Sequence, residues 1–244
     1  MARVAVASMV REGAEALLSL LFPAHCGGCG CRLKEEESAT LLCRECREKI
    51  TSLHGHLCLV CSHPMAGIFR CPNCEDRIWH LSMVVAACRH EGLVRELIHR
   101  FKYGKDQSLV RPLAHLLPSA MQDPRIQGKR FDAIVPVPLH PQRERERGFN
   151  QSELLSAQFG NYLNLPTRLL LKRTRVTAPQ ARFDRQQRME NLAGAFTLRG
   201  KISEGAKLLL VDDVTTTGAT LDACAAVLRE AGAAEVCAVS VARG

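Results

Sequence analysis

The chain has 244 residues, with 33 Lys and Arg against 25 Asp and Glu, a formal charge of +8 and 12 cysteines. That length exceeds a usual single compact domain, so a medium domain with a small companion module is expected. The positive charge suits an anionic partner, nucleic acid or a phosphorylated ligand, without choosing between them; no run reaches the roughly 18 apolar residues of a membrane span, so a soluble, cytoplasmic chain is expected.

Residues 1–24 read as an amphipathic helix. Val10, Ala14, Leu17, Leu18 and Leu21 recur at helical spacing, while Arg11, Glu12 and Glu15 interrupt the apolar core that a targeting signal needs. Residues 25–80 then carry four C-x-x-C pairs: Cys26 with Cys29, Cys43 with Cys46, Cys58 with Cys61, and Cys71 with Cys74. Two residues between cysteines let both thiolates face one ion from a tight turn, and two such turns complete a tetrahedral zinc site. In a reducing compartment, paired cysteines point to metal rather than disulfides.

Joined in chain order, the pairs give one set from Cys26, Cys29, Cys43 and Cys46 and another from Cys58, Cys61, Cys71 and Cys74. That is a double zinc ribbon with two zinc ions per chain. Interleaved pairing of first with third and second with fourth stays open, as does a redox disulfide or an iron–sulfur cluster. Cys31, His25, His54, His56 and His63 lie close enough to substitute as ligands. Metal should supply most of this segment's folding free energy, so its loss should unfold the ribbon first and spare the larger domain's site unless the modules share an interface. Cys88, Cys224 and Cys237 sit among apolar neighbours and read as small buried hydrophobes.

Residues 81–244 carry the long apolar runs of a mainly parallel α/β sheet of five or more strands with flanking helices. Strands are expected at Met83–Cys88, as an edge, and at Ala133–Val137, Leu169–Lys172, Leu208–Val211 and Val236–Val241. From Lys207 the chain reads KLLLVDDVTTTGATLDACAAVLREAG, an apolar strand, a polar loop and an amphipathic helix closed by Gly232. Ligands bind at the carboxyl ends of such strands, where Asp212 and Asp213 fall. Their carboxylates can accept from two ribose hydroxyls, directly or through a metal ion. Thr215, Thr216, Thr217, Gly218 and Thr220 bring N–H groups and hydroxyls to a helix start, which suits a phosphate. No G-x-x-x-x-G-K-[ST] is present, so this is not a nucleotide P-loop; a plain strand-to-helix turn with acidic caps is the bland alternative. Upstream, Pro138 punctuates a strand end ahead of Arg143, Arg145 and Arg147, which can grip a pyrophosphate from a loop or equally pair with Glu144 and Glu146 in solvent.

VDDVTTTGAT resembles the phosphoribosyl pyrophosphate motif of type I phosphoribosyltransferases. AIVPVPLHPQRERERGFNQSELLSA (133–157), TAPQARFDRQQRMENLAGAF (177–196) and IHRFKYGKD (98–106) are similar to blocks of the ComF family, and with the cysteine pairs the resemblance covers nearly the whole chain. It implies three parts: the helix at 1–24, the double zinc ribbon at 25–80 and a phosphoribosyltransferase-like domain at 81–244. It implies ribose contacts from Asp212 and Asp213, a 5-phosphate held by residues 215–220, and Mg²⁺ with phosphoribosyl pyrophosphate. Arg182, Arg185 and Arg188 would lie in a hood over the ligand. The family further implies natural transformation, single-stranded DNA as partner and a ComFA-like helicase nearby, with a turning-over phosphoribosyltransferase of nucleotide salvage as the alternative. Trp79, Phe101 and Tyr103 are candidate stacking platforms for single strands, though isolated aromatics are more often core.

Overall fold

The computed structural model describes residues 24–65, 67, 69–75, 77–175 and 194–244. Residues 1–23 of the expected N-terminal helix, and Arg182, Arg185 and Arg188, lie outside that range. The chain divides into two units, Met1–Lys49 and Ile50–Gly244.

In the first unit, the Cys26–Cys29 turn is closed by the Gly30 amide donating to the Cys26 carbonyl at 2.9 Å, and Cys46 rides on a short helix, α1 (Arg44–Glu48). Glu37 ties these pieces together: its carboxylate accepts from the amides of Lys34 at 3.1 Å and Arg44 at 2.6 Å. Besides Glu37 and three cysteines, only Leu33 and Leu42 are buried among its described residues. So thin an apolar core cannot offset the entropy of ordering the chain without a staple.

The second unit is built on four parallel strands, β1 (Met83–Arg89), β2 (Ala133–Pro136), β5 (Lys207–Thr215) and β6 (Glu235–Arg243), in the order β1-β6-β5-β2. The central strands are buried on both faces, so they read as continuous apolar runs rather than as alternation. Leu208, Leu210, Val236 and Ala238 share one core with Leu221, Ala225 and Leu228 of helix α7 (Ala219–Glu230). The other face meets α6 (Gln151–Leu163) and the short helix α4 (Leu117–Ala120), with α3 (Val110–Ala114) packed against α6. Helix α2 (Gly92–Tyr103) buries Val94, Leu97, Ile98 and Phe101, the i, i+3, i+4, i+7 stripe of an amphipathic helix. Helix α5 (Pro141–Arg147) follows β2.

The main sheet has four strands among the described residues, not five. The stretch expected as a strand at Leu169–Lys172 forms β3 (Leu171–Arg173), which pairs antiparallel with β4 (Phe196–Leu198). The chain touches the sheet only at Thr167, where the Ile134 amide donates to the Pro166 carbonyl at 2.9 Å and the Arg168 amide to the Ile134 carbonyl at 2.8 Å. It then turns away so that Leu170, Leu171 and Phe196 reach the α7 core. At the opposite edge, residues 51–53 run antiparallel beside the end of β1.

Gly160 lies inside α6, where a Cβ would sit 2.8 Å from the Leu165 carbonyl oxygen and 3.0 Å from Thr167 Oγ1. In an open helix Gly→Ala stabilises by about 1 kcal/mol. Here Gly160→Ala should instead destabilise, by about 1–3 kcal/mol, because the colliding atom is backbone. Chemical denaturation measures the sign, and a more stable variant would refute this packing.

Candidate functional site

Asp212 and Asp213 stand near the carboxyl end of β5 and are both buried. Three elements converge on them. The Asn150 side chain caps α6, accepting from the Ser152 amide at 3.0 Å and donating to the Val137 carbonyl at 3.1 Å. That cap fixes the helix start so that Ser152 Oγ donates to Asp212 Oδ1 at 2.9 Å and Gln151 Nε2 to Asp213 Oδ1 at 3.4 Å. From the last turn of α2, the Lys102 ammonium forms an ion pair with Asp213.

The two acids are unequal. Burial would raise the Asp213 pKa, but Lys102 outweighs it and holds the carboxyl below its ordinary value. Asp212 is pushed up to about 7 by burial and by the neighbouring Asp213 charge. Burial alone would also lower the Lys102 pKa, yet Asp213 and Asp212 keep it above the usual lysine value. Near neutral pH the trio is therefore a lysine cation, a fixed carboxylate and a second carboxyl that titrates.

After the acids the chain bends through Thr215, Thr216 and Thr217 to Gly218, whose φ of 75° is the left-handed conformation that starts α7. A small cleft is lined by Asp212, Thr215, Thr216, Gly218 and Thr220, which joins the first acid to the threonine loop, while Asp213 and Thr217 lie outside its lining. Thr215 Oγ1 is buried with no hydrogen-bond partner among the described residues. An orphaned donor beside helix-start amides fits an anion, phosphate included.

Pro138 lies just past β2, where the Val137 amide still donates to the Val211 carbonyl at 3.0 Å. The following arginines are not on a loop, as expected, but on helix α5. Pro141 at its first turn, the His140 cap and Gly148 at φ 91° are the start and stop signals responsible. On a helix, Arg143 and Arg147 share a face; both are half-buried and line a cleft with Lys102, Tyr103 and Lys105, whereas Arg145 is exposed and outside it. Among the described residues none of the three arginines pairs with Glu144 or Glu146. Sequence reading missed Lys102, Gln151 and Ser152, which carry no local signature because their partners lie far away in the chain. Of the aromatics, Phe101 is fully buried and Tyr103 is exposed.

The cysteines group in chain order, Cys26, Cys29, Cys43 and Cys46 in one set and Cys58, Cys61, Cys71 and Cys74 in the other, each with its sulfurs within 4.8 Å of one another. Sulfur separations are 3.7 Å for Cys29 and Cys43, 3.6 Å for Cys58 and Cys74, and 3.5 Å for Cys61 and Cys71. Four thiolates about 2.3 Å from a tetrahedral zinc stand roughly 3.8 Å apart, so both sets fit that ion. Neither set includes Cys31 or a histidine. Burial pushes the thiols of Cys88 and Cys237 up to about 12 and that of Cys224 well above its ordinary value, as befits inert core residues.

Comparison with known proteins agrees with both parts. Residues 17–91 match the double zinc ribbon domain and residues 150–244 the phosphoribosyl transferase domain. Competence protein F of Haemophilus influenzae is 32% identical over 213 residues, 80% of this chain and 93% of that protein. DNA utilization protein YhgH of Escherichia coli is 31% identical over 213 residues, with the same 80% and 93% coverage. Competence protein ComFC of Bacillus subtilis is 29% identical over 212 residues, 83% of this chain and 82% of the relative. With cysteine sets that fit a double zinc ribbon, a parallel α/β sheet following them in the chain and relatives aligned over most of their length, the chain belongs to the ComF family of competence proteins.

Proposed function

We propose that this chain binds phosphoribosyl pyrophosphate with Mg²⁺ at the carboxyl end of β5 and works in DNA uptake or use by handling single-stranded DNA. The observation that carries the ligand is a buried acid pair whose first member, Asp212, shares a cleft with the threonine loop at the start of α7. A ribose 5-phosphate presents vicinal hydroxyls and a phosphate within a few bonds of each other. Asp212 and Asp213 accept from the hydroxyls, while the loop amides and Thr215 Oγ1 donate to the phosphate. Lys102, Lys105, Arg143 and Arg147, gathered around one cleft, suit the pyrophosphate. Bound Mg²⁺ would neutralise part of the pyrophosphate charge, with the two aspartates as the chain's carboxylates for it or its waters. The hood role of Arg182, Arg185 and Arg188 is part of the same proposal.

The DNA half rests on relatives named for competence and DNA utilization and on a formal charge of +8. Two zinc ions per chain complete the reading, one in each thiolate set. Among the described residues no helix is long and apolar enough to cross a membrane; a cytoplasmic location is part of the proposal. The cations at the acid pair also favour a second reading, phosphoribosyl transfer, because groups that bind pyrophosphate can stabilise it as it departs. Pyrophosphate release over a panel of bases separates binding from turnover.

Replacing the acid pair in Asp212→Asn/Asp213→Asn should weaken phosphoribosyl pyrophosphate binding by about 10²–10⁴-fold, the loss of two charge-assisted hydrogen bonds, in a protein whose circular dichroism is unchanged. Calorimetry showing wild-type affinity would remove the site. Affinity should also follow pH. As a carboxylate Asp212 accepts from a hydroxyl more strongly than as the protonated acid, and its pKa is near 7 in the free site, so binding at pH 6 should be several-fold weaker than at pH 8, up to about tenfold. Asp212→Asn controls for ionisation of the ligand itself; identical profiles for both proteins would contradict the assignment. Single-stranded DNA affinity should fall by about 0.7 log units per log unit of salt for each phosphate neutralised, and a flat response in filter binding would sink the DNA reading.

A further inference from the structure

The Cys58–Cys74 ribbon belongs to the same unit as the sheet, and arginine side chains bridge it to the threonine loop. Its first knuckle is stitched to β1. Ser62, fully buried at φ 56°, donates to the Val84 carbonyl at 2.6 Å, the Val84 amide donates to the Val60 carbonyl at 2.6 Å, and Arg125 donates to the Cys58 carbonyl at 2.6 Å and to Ser62 Oγ at 2.8 Å. The knuckle therefore has a fixed position from which to act.

Two buried arginines carry that position to the loop. Arg243, at the end of β6, donates from Nε to the Cys61 carbonyl and from Nη1 to the Thr215 carbonyl, both at 3.2 Å. Arg77, just past the second knuckle, donates from Nη1 to the Thr217 carbonyl at 3.2 Å and from Nη2 to Asp222 Oδ2 at 3.0 Å. Its guanidinium lies 3.8 Å over the ring of Trp79. Trp79 in turn packs on Cys58, Cys61 and Cys71 and presses against the loop at Gly218, where a Cβ would stand 2.8 Å from the indole edge.

The direction of these bonds matters. In a trans peptide the C=O and the following N–H point opposite ways. With the carbonyls of Thr215 and Thr217 held by arginines, the amides of Thr216 and Gly218 are turned away from them, and both residues line the cleft beside Asp212. The Thr215 carbonyl also accepts from the Gly244 amide at 2.9 Å, within the β5–β6 pairing, so loss of the metal, which would free the Cys61 carbonyl and the Trp79 seat, would loosen chiefly the Thr217–Gly218 peptide held by Arg77.

We propose that Arg77, Arg243 and Trp79 are positioning residues through which metal in the Cys58, Cys61, Cys71 and Cys74 set and anion in the threonine loop bind cooperatively. The inference rests on the phosphoribosyl pyrophosphate reading above, and it takes up the exception to the expectation that chelation spares the ligand site, namely an interface shared with the ribbon. Coupling is reciprocal: whatever factor metal adds to ligand affinity, ligand adds to metal affinity.

The test uses the full chain carrying its zinc. In wild type, saturating phosphoribosyl pyrophosphate and Mg²⁺ should raise by about tenfold the chelator concentration that strips half the zinc from the second set, with Cys26→Ser/Cys29→Ser protein identifying which release belongs to that set. Arg77→Gln and Arg243→Gln should each weaken ligand affinity by about the same factor while zinc content stays unchanged, with partial rescue by Arg→Lys. Trp79 is the only tryptophan in the chain, so its emission should shift on ligand addition and again on loss of the second zinc. If the ligand binds wild type but leaves zinc stripping unchanged, the coupling is overturned and the ligand reading stands. If the ligand does not bind wild type, the ligand reading fails and the coupling with it. The wild-type stripping arm decides the matter even where an arginine variant fails to fold.

Discussion

Asp213 is almost wholly enclosed, and its charge persists because the Lys102 ammonium reaches it from the last turn of α2. An isolated carboxylate at that depth would neutralise itself, and Asp212 beside it already moves in that direction. Much of the surrounding architecture meets this demand. Helix α2 sinks Phe101 into the core and so delivers the next residue, Lys102, to the end of β5. Asn150 caps α6 at the one place from which Gln151 and Ser152 can donate to the two acids. Removing Lys102 would leave a buried charge with only the Gln151 amide and no ion-pair partner, which costs far more than the ion pair itself contributes.

What was legible in the sequence is what is local. Strand β5, its acids, the threonine loop and α7 read directly because one apolar run, one turn and one amphipathic stripe follow each other within a few residues. The C-x-x-C knuckles read for the same reason, and their grouping in chain order is the arrangement with the shortest closures. Helix α5 shows a local signal outweighed by another: the alternating Arg and Glu suggest a solvated turn, yet Pro141 and Gly148 mark a helix start and stop. Leu169–Lys172 failed as a sheet strand because apolar character alone does not distinguish a strand of the sheet from a hairpin that packs on its helices. Lys102, Arg77 and Arg243 were out of reach because each acts on an element remote in sequence, and only the fold pairs them.

The two ribbons differ in kind. The first holds its thiolates around scarcely any apolar core, with Glu37 as its main internal tie. The second shares its wall with the sheet: Trp79 packs both on its cysteines and on the α7 core. Metal at the first would be a staple for a small fold, whereas metal at the second would, on the coupling proposed above, also bear on the threonine loop.

The flanks of the parallel sheet carry a separate consequence. Along β1 lie residues 51–53 and the Val60 carbonyl, and along β2 the Pro166–Arg168 stretch takes up the ladder groups of Ile134. Each is too short to count as a strand, but each occupies backbone donors and acceptors that would otherwise template an incoming chain. Another molecule could lengthen this four-stranded sheet by pairing alongside it only after one of these segments had peeled away, so each short flank acts as a guard whose strength sets how readily the sheet edge opens to β-strand addition.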